Sequence, residues 1–321
     1  MGYTALDFVI CLIQLTAFIA YIMVIMFLIS LIFRSNCGTS TEFYIHFIVN
    51  GFIDILTNIF DILIRRFPKW NLFISFFKSY LWIGNLSPII YYSTVANCAL
   101  GILIITFNRY VQMHFPLDYK HFWTKKTTVI MILFQIIVPY LSYIYLVNYE
   151  VVLIYSNDNN YYYHSMKDKT ASTYNSLIMC IWSGLIFIFG LKMNISNIRK
   201  YVQIIFNKKK ESKVSTSKIF LYSMYCFVIS ISLLLVFLNS CYKLYAVIIN
   251  DKLSKEEASN NYEWIILLMT CCHPFLILSL SKELRTKFLT FYSISQPSRV
   301  SSVPFTINVR WRKSINRTVI Q

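Results

Sequence analysis

Residues 86–110 read LSPIIYYSTVANCALGILIITFNRY, and the 23 residues before Arg109 carry no charge. At 1.5 Å of rise per residue, ~20 apolar residues in a helix cross the ~30 Å hydrocarbon core of a bilayer. Lipid offers backbone N–H and C=O groups no partner, so a run of this kind is expected to be helical. It ends sharply at Asn108-Arg109-Tyr110, where the long arginine stem can lie in the apolar layer while the guanidinium reaches the interface.

Working outward, similar runs occupy roughly 7–33, 43–64, 127–147, 171–191, 218–242 and 263–281. The chain has 321 residues, 57% of them hydrophobic and only 14% charged, with a mean hydropathy of +0.55. A soluble domain carries about 25% charged residues, and no soluble core hides seven such helices. The sequence therefore predicts an all-α membrane protein, a seven-transmembrane helix bundle. The first run has no Lys or Arg before it, Asp7 at its edge and Arg34 after it, and it exceeds a ~7–15-residue signal core. It reads as a true span. Met1-Gly2 lacks the Ser or Thr at position 6 that myristoylation requires, since that residue is Leu6.

The loops give an orientation. Segments 34–42, 109–126, 192–217 and 282–321 carry 0, +3, +6 and +7; the N-terminus, 65–85, 148–170 and 250–263 carry −1, +4, −1 and −2. The basic side is expected to be cytoplasmic, giving an extracellular N-terminus and a cytoplasmic C-terminus in a multi-pass plasma-membrane protein. One loop disagrees, because Arg65, Arg66, Lys69 and Lys78 fall on the outer side. Residues 1–292 form the membrane domain, and the basic tail 293–321 is expected to be disordered. Before that tail, Leu284, Phe288, Phe291 and Tyr292 share a face, which predicts a short amphipathic helix on the anionic inner leaflet.

Polar residues inside the spans are the candidate functional groups. Asn50, Asp54, Asn58 and Asp61 recur at steps of four, four and three, which puts them on one face of the second helix. A carboxylate at the depth of Asp54 costs several kcal/mol without partners. Gln14, Asn97, Asn108, Thr270 and His273 are available to it. Two readings stand open: packing glue, or a titratable or ion-linked group that favours one helix arrangement. Pro139 and Pro274 should bend the fourth and seventh helices and act as hinges. Chosen for depth and chemistry, Tyr92, Asn97, Tyr143, Trp182 and Tyr242 are candidate ligand-cavity residues. Arg199, Lys200, Lys208, Lys209, Lys210 and Lys213 form either ordinary inside charge or a surface for a cytosolic partner.

Other chemistries find no support. The eight cysteines are scattered, most within spans, with no zinc spacing and none in the outer loops. No phosphate loop, dinucleotide fingerprint, zinc-protease helix or nucleophile elbow is present. The sequence thus predicts no enzyme, no cofactor and no metal. Its basic charge is explained by topology rather than by nucleic acid. Asn85-Leu86-Ser87 is a sequon, but it sits close to the membrane and Pro88 follows it.

The chain resembles the nematode serpentine chemoreceptors of the gamma superfamily, in the class gamma and class V groups. Phe43-Tyr44 opening the second run, Asp54 within it and Arg66-Phe67-Pro68-Lys69-Trp70 after it carry the resemblance. So, above all, does Asn108-Arg109-Tyr110 followed by Phe115-Pro116-Leu117 and Phe122-Trp123. The resemblance implies a G-protein-coupled chemosensory receptor that detects a small-molecule ligand and activates a heterotrimeric G protein. It places Arg109, with Asn108, Tyr110 and Pro116, at the coupling switch, amid membrane lipids. Asn108 stands where rhodopsin-like receptors commonly have an acidic residue, so an Asp–Arg lock cannot be assumed. Gly84 stands where an outer-end cysteine is expected, and the seventh-helix ending reads His273-Pro274-Phe275-Leu276-Ile277, keeping only the proline. The rival functions are a small-solute transporter or channel and a non-signalling membrane adaptor.

Overall fold

A computed structural model describes residues 5–34, 41–156, 161–209, 216–280 and 282–293. The first helix is Ala5–Arg34. The second runs over Thr41–Phe60 and continues through a π-helical stretch, Asp61–Arg66, into Phe67–Lys69. The third is Leu81–His114, and the fourth is Lys125–Tyr143, prolonged by a 3-10 turn over Ile144–Asn148. The fifth and sixth are Lys169–Lys209 and Thr216–Ile248. The seventh, Lys252–Cys271, breaks at Cys272 and resumes as His273–Leu280. Seven helices are long and apolar enough to cross a membrane. This is the predicted bundle, and the protein is a multi-pass membrane protein.

The third helix is the axis. Its apolar stretch is more fully buried than that of any other described span. It packs against the second, fourth and fifth helices, while the fifth pairs with the sixth and the sixth with the seventh. The first and fourth helices instead present Phe8, Leu12, Leu15, Ile130, Leu133 and Ile137 outward. An apolar exterior around a polar-seamed interior is what a lipid solvent selects.

Where the helices overrun the apolar runs, local chemistry explains it. No Gly or Pro interrupts 191–209, so the fifth helix carries its basic segment on as helix. Asp251 caps the seventh helix by accepting from the backbone N–H of Leu253 (3.2 Å) and Ser254 (3.3 Å), drawing polar residues 252–262 into it. Thr124 caps the fourth by accepting from Thr127 N–H at 3.2 Å.

One element lies outside the all-helical reading. Strands β1 (Val151–Ser156) and β2 (Tyr161–Met166) pair antiparallel, Val151 opposite Met166 and Ser156 opposite Tyr161. The hairpin lies across the bundle at the end opposite Arg109. There the Asn85 carboxamide oxygen accepts from Val151 N–H at 2.9 Å. Its sequence carries the usual signal: Val151-Val152-Leu153-Ile154-Tyr155, turn-forming Ser156-Asn157-Asp158-Asn159-Asn160, then three tyrosines.

At the Arg109 end, the helix Lys282–Tyr292 docks on the first helix. Phe288 and Phe291 meet Phe27 edge-on at 5.5 and 5.7 Å, and Tyr292 donates to the Met23 carbonyl at 2.7 Å. Its apolar face is thus held by the bundle, with Arg285 and Lys287 exposed. Residues 294–321 lie outside the described residues, so the expected disorder of the tail does too.

Candidate functional site: a chamber, a buried polar layer and a caged arginine

Between the hairpin and the ends of the second, third, sixth and seventh helices lies a chamber of about 350 Å³. The π-helical stretch of the second helix puts Asp61 and two arginines together at its edge. Arg65 meets Asp61 at 3.1 Å and Glu263 at 3.6 Å, and it donates to the Tyr91 hydroxyl at 2.7 Å. Fully buried Arg66 meets the other Asp61 oxygen at 3.0 Å, and Lys69 meets Glu263 at 3.3 Å. These are three of the four cations that opposed the charge rule. They are tied to carboxylates of the second and seventh helices rather than free in a loop. Asp61, buried like Asp54, thus joins the polar stripe of the second helix to this cluster.

The floor of the chamber is phenolic. Lys243 donates to the Tyr92 hydroxyl and lies 4.8 Å from the Tyr92 ring centre and 5.8 Å from that of Tyr262. Among the described residues no carboxylate lies within ion-pair distance of it. Tyr161, on the hairpin, donates to Glu256 of the seventh helix.

Midway along the bundle lies the polar layer. Asp54 is wholly buried and accepts from Tyr21 of the first helix and from Asn50 (3.2 Å), with His273 Nδ1 3.6 Å away. Asn58 donates to Thr270 at 2.8 Å and accepts from Gln14 at 3.1 Å. Gln135 of the fourth helix donates to the Asn50 carboxamide oxygen and to the Asn97 carbonyl, both at 3.2 Å. Five helices meet here. Both bonds to Asp54 fall on Oδ2, while Oδ1 has no hydrogen-bond partner among the described residues.

Gly101 on the third helix makes that crossing possible. A Cβ there would stand 1.7 Å from Asn50 Oδ1 and 2.3 Å from Gln135 Nε2, well inside any real contact. Of the foreseen partners of Asp54, His273 faces it directly, and Thr270 and Gln14 act through Asn58. Asn97 contributes its backbone carbonyl. Asn108 lies toward the other end and accepts from Tyr119 at 3.3 Å.

At the Arg109 end the guanidinium has an aromatic cage, and among the described residues no carboxylate pairs with it. Its Cζ lies 4.7 Å from the ring centre of Phe43, 5.1 Å from Tyr225 and 5.9 Å from Tyr222. These rings come from the second and sixth helices, so one cation ties three helices together. Tyr110 stacks on His114 at 4.3 Å, and Pro116 lies exposed in the turn beyond the helix. Buried Trp123 packs against His46 and Phe107, each 5.6 Å away.

The remaining site candidates scatter. Tyr92 lines the chamber, with Tyr143 stacked behind it at 5.8 Å. Trp182 donates to Ser142 at 3.2 Å between the fourth and fifth helices, and Tyr242 turns to Glu257 at 2.8 Å. Pro139 is buried in the last turns of the fourth helix, where its carbonyl accepts from Ser93 at 3.4 Å. Pro274 sits just after the break in the seventh helix at Cys272. Sequence reasoning passed over Lys243, Tyr262 and Glu263. An isolated Lys near the end of an apolar run was the available signal for the first of them.

Such a bundle, with a chamber at one end and a caged arginine at the other, has the layout of a seven-transmembrane receptor. Residues 9–294 match the family described as serpentine type 7TM GPCR chemoreceptor Srv, and the chain belongs to that family. It is also similar to "Serpentine receptor class V-1" of Caenorhabditis elegans, 30% identical over 108 residues. That similarity covers 33% of this chain and 34% of the relative, about a third of the relative's length.

Proposed function

We infer that the protein is a chemosensory receptor in which a small external ligand enters the chamber and shifts the bundle between two packings. Opening at the Arg109 end then engages a heterotrimeric G protein. The observation that carries this is the cage. Arg109 is held by rings on the second and sixth helices, so a relative shift of those helices releases or re-aims it. The buried layer around Asp54 links five helices and supplies a bistable element between the two ends. A ligand moves such an equilibrium only by binding one packing better.

In this reading the chamber end faces outward and the Arg109 end faces the cytosol of the plasma membrane. The pairing of Arg65, Arg66 and Lys69 supports that orientation, because it removes the main charge that opposed it. The basic extension of the fifth helix, the 109–126 segment and the helix after the seventh span supply the coupling surface.

The test is a cell assay that reads second messengers against a panel of small volatile and water-soluble cues, for the wild type and for Arg109→Ala. Ligand-dependent signalling lost in the variant supports the reading. Unchanged signalling in the variant removes Arg109 from the role, and ion or solute flux without nucleotide exchange favours a transporter or channel.

A further inference from the structure

We propose that the chamber selects a small carboxylic acid with a compact apolar body, the carboxylate pairing with Lys243. The proposal rests on the chamber being the ligand site, and it adds the chemical class of the ligand. Three observations carry it.

The first is charge. Asp61 and Glu263 answer Arg65, Arg66 and Lys69, and Glu256 is engaged by the Tyr161 hydroxyl. Lys255 turns to the Asn250 carboxamide oxygen at 2.7 Å. Among the described cations that line the chamber, Lys243 alone meets only phenols. A half-buried ammonium with no carboxylate partner is under-compensated, and an anion brought to it gains more than the same pair in water.

The second is shape. About 350 Å³ lies at the small end of the ~300–1,000 Å³ range of ligand pockets. The third is the lining around the cation. Ile64, Pro88, Val151, Ile154, Met166 and Val247 supply apolar wall, which suits a short alkyl or single-ring body. The tyrosine hydroxyls of the floor can donate to the second carboxylate oxygen.

The experiment uses the full-length receptor in lipid nanodiscs. Hexanoate, octanoate and phenylacetate are compared with hexanamide, octanamide and phenylacetamide by the rise in thermal midpoint each produces. The acids are expected to bind at least ten times more tightly than their amides at pH 7.4. Lys243→Gln should abolish the difference, and Lys243→Arg should keep it. Equal binding of acids and amides, or no binding of any acid, overturns the proposal on the wild type alone, whatever the variants do. An unchanged acid preference in a folded Lys243→Gln protein overturns the role of Lys243. Nucleotide exchange by added G protein is read separately. Its absence beside clear acid binding would count against the coupling reading and leave the ligand class standing.

Discussion

Gln135 of the fourth helix reaches the Asn50 carboxamide of the second at 3.2 Å, and the two meet over the bare α-carbon of Gly101 on the third. Three helices are thus keyed together at one point. Gly101→Ala should break the link and destabilise the protein by about 1–3 kcal/mol, the usual cost of overpacking a filled core. Gly84→Ala, whose new Cβ would have its nearest neighbour at 3.6 Å, should change little. Thermal melts of the two purified variants check this.

The aromatic cage predicts an asymmetry between ring and hydroxyl. Tyr225→Leu should weaken the hold on Arg109 and raise basal signalling several-fold, in keeping with ~0.5–2 kcal/mol for one cation–π contact. Tyr225→Phe keeps the ring and should leave basal signalling unchanged. Measured basal nucleotide exchange of the two variants distinguishes them. An equal rise in both would mean that the hydroxyl, not the ring, matters, and no rise in either would remove the cage from the role.

Asp61 serves two arginines, one of them wholly buried. Asp61→Asn should cost about 3–5 kcal/mol, the range for stranding a buried partner. Glu263→Gln should cost less. Arg65 keeps Asp61 in that variant, and the Lys69 side chain is 19% exposed. The yield of folded receptor in detergent, with thermal midpoints, reads the order.

His164 on β2 is partly buried, with neither ring nitrogen hydrogen-bonded, and packs edge-on to Phe77 at 5.6 Å. Burial pushes its pKa down to about 4 from 6.5. The folded hairpin therefore binds fewer protons than the unfolded chain between those values. Its stability is full above about pH 6.5 and falls as pH drops toward about 4. Hydrogen exchange across Val151–Ser156 and Tyr161–Met166 should quicken on acidification, and His164→Phe should flatten that dependence. Glu150 and Lys167, which flank the hairpin, and Lys78 and Glu256, which bond its tyrosines, are all present in the variant, so the comparison isolates His164.

Much of this architecture was legible from residue patterns. Apolar runs of bilayer length predicted the seven helices because lipid leaves the backbone no alternative. The inward face of Asn50, Asp54 and Asn58 followed from helical spacing. What spacing did not reveal was tertiary partnership. Tyr21 and Gln135 reach Asp54 and Asn50 from other helices, and no periodicity announces that. Asp61 keeps the buried face, and the π-helical stretch that begins there brings Arg65 and Arg66 to it. The hairpin was passed over because a short strand pair between two spans is weak beside 20-residue apolar runs. Of the residues expected to form the cavity, Tyr92 lines the chamber, since depth along a helix does not specify which way a side chain faces.

The most direct test of the central claim is nucleotide exchange on heterotrimeric G proteins by the purified receptor in nanodiscs, with and without a bound cue. The account predicts cue-dependent exchange that Arg109→Ala abolishes while the cue still binds. Cue binding with no exchange on any G-protein class, together with solute flux in proteoliposomes, would contradict it.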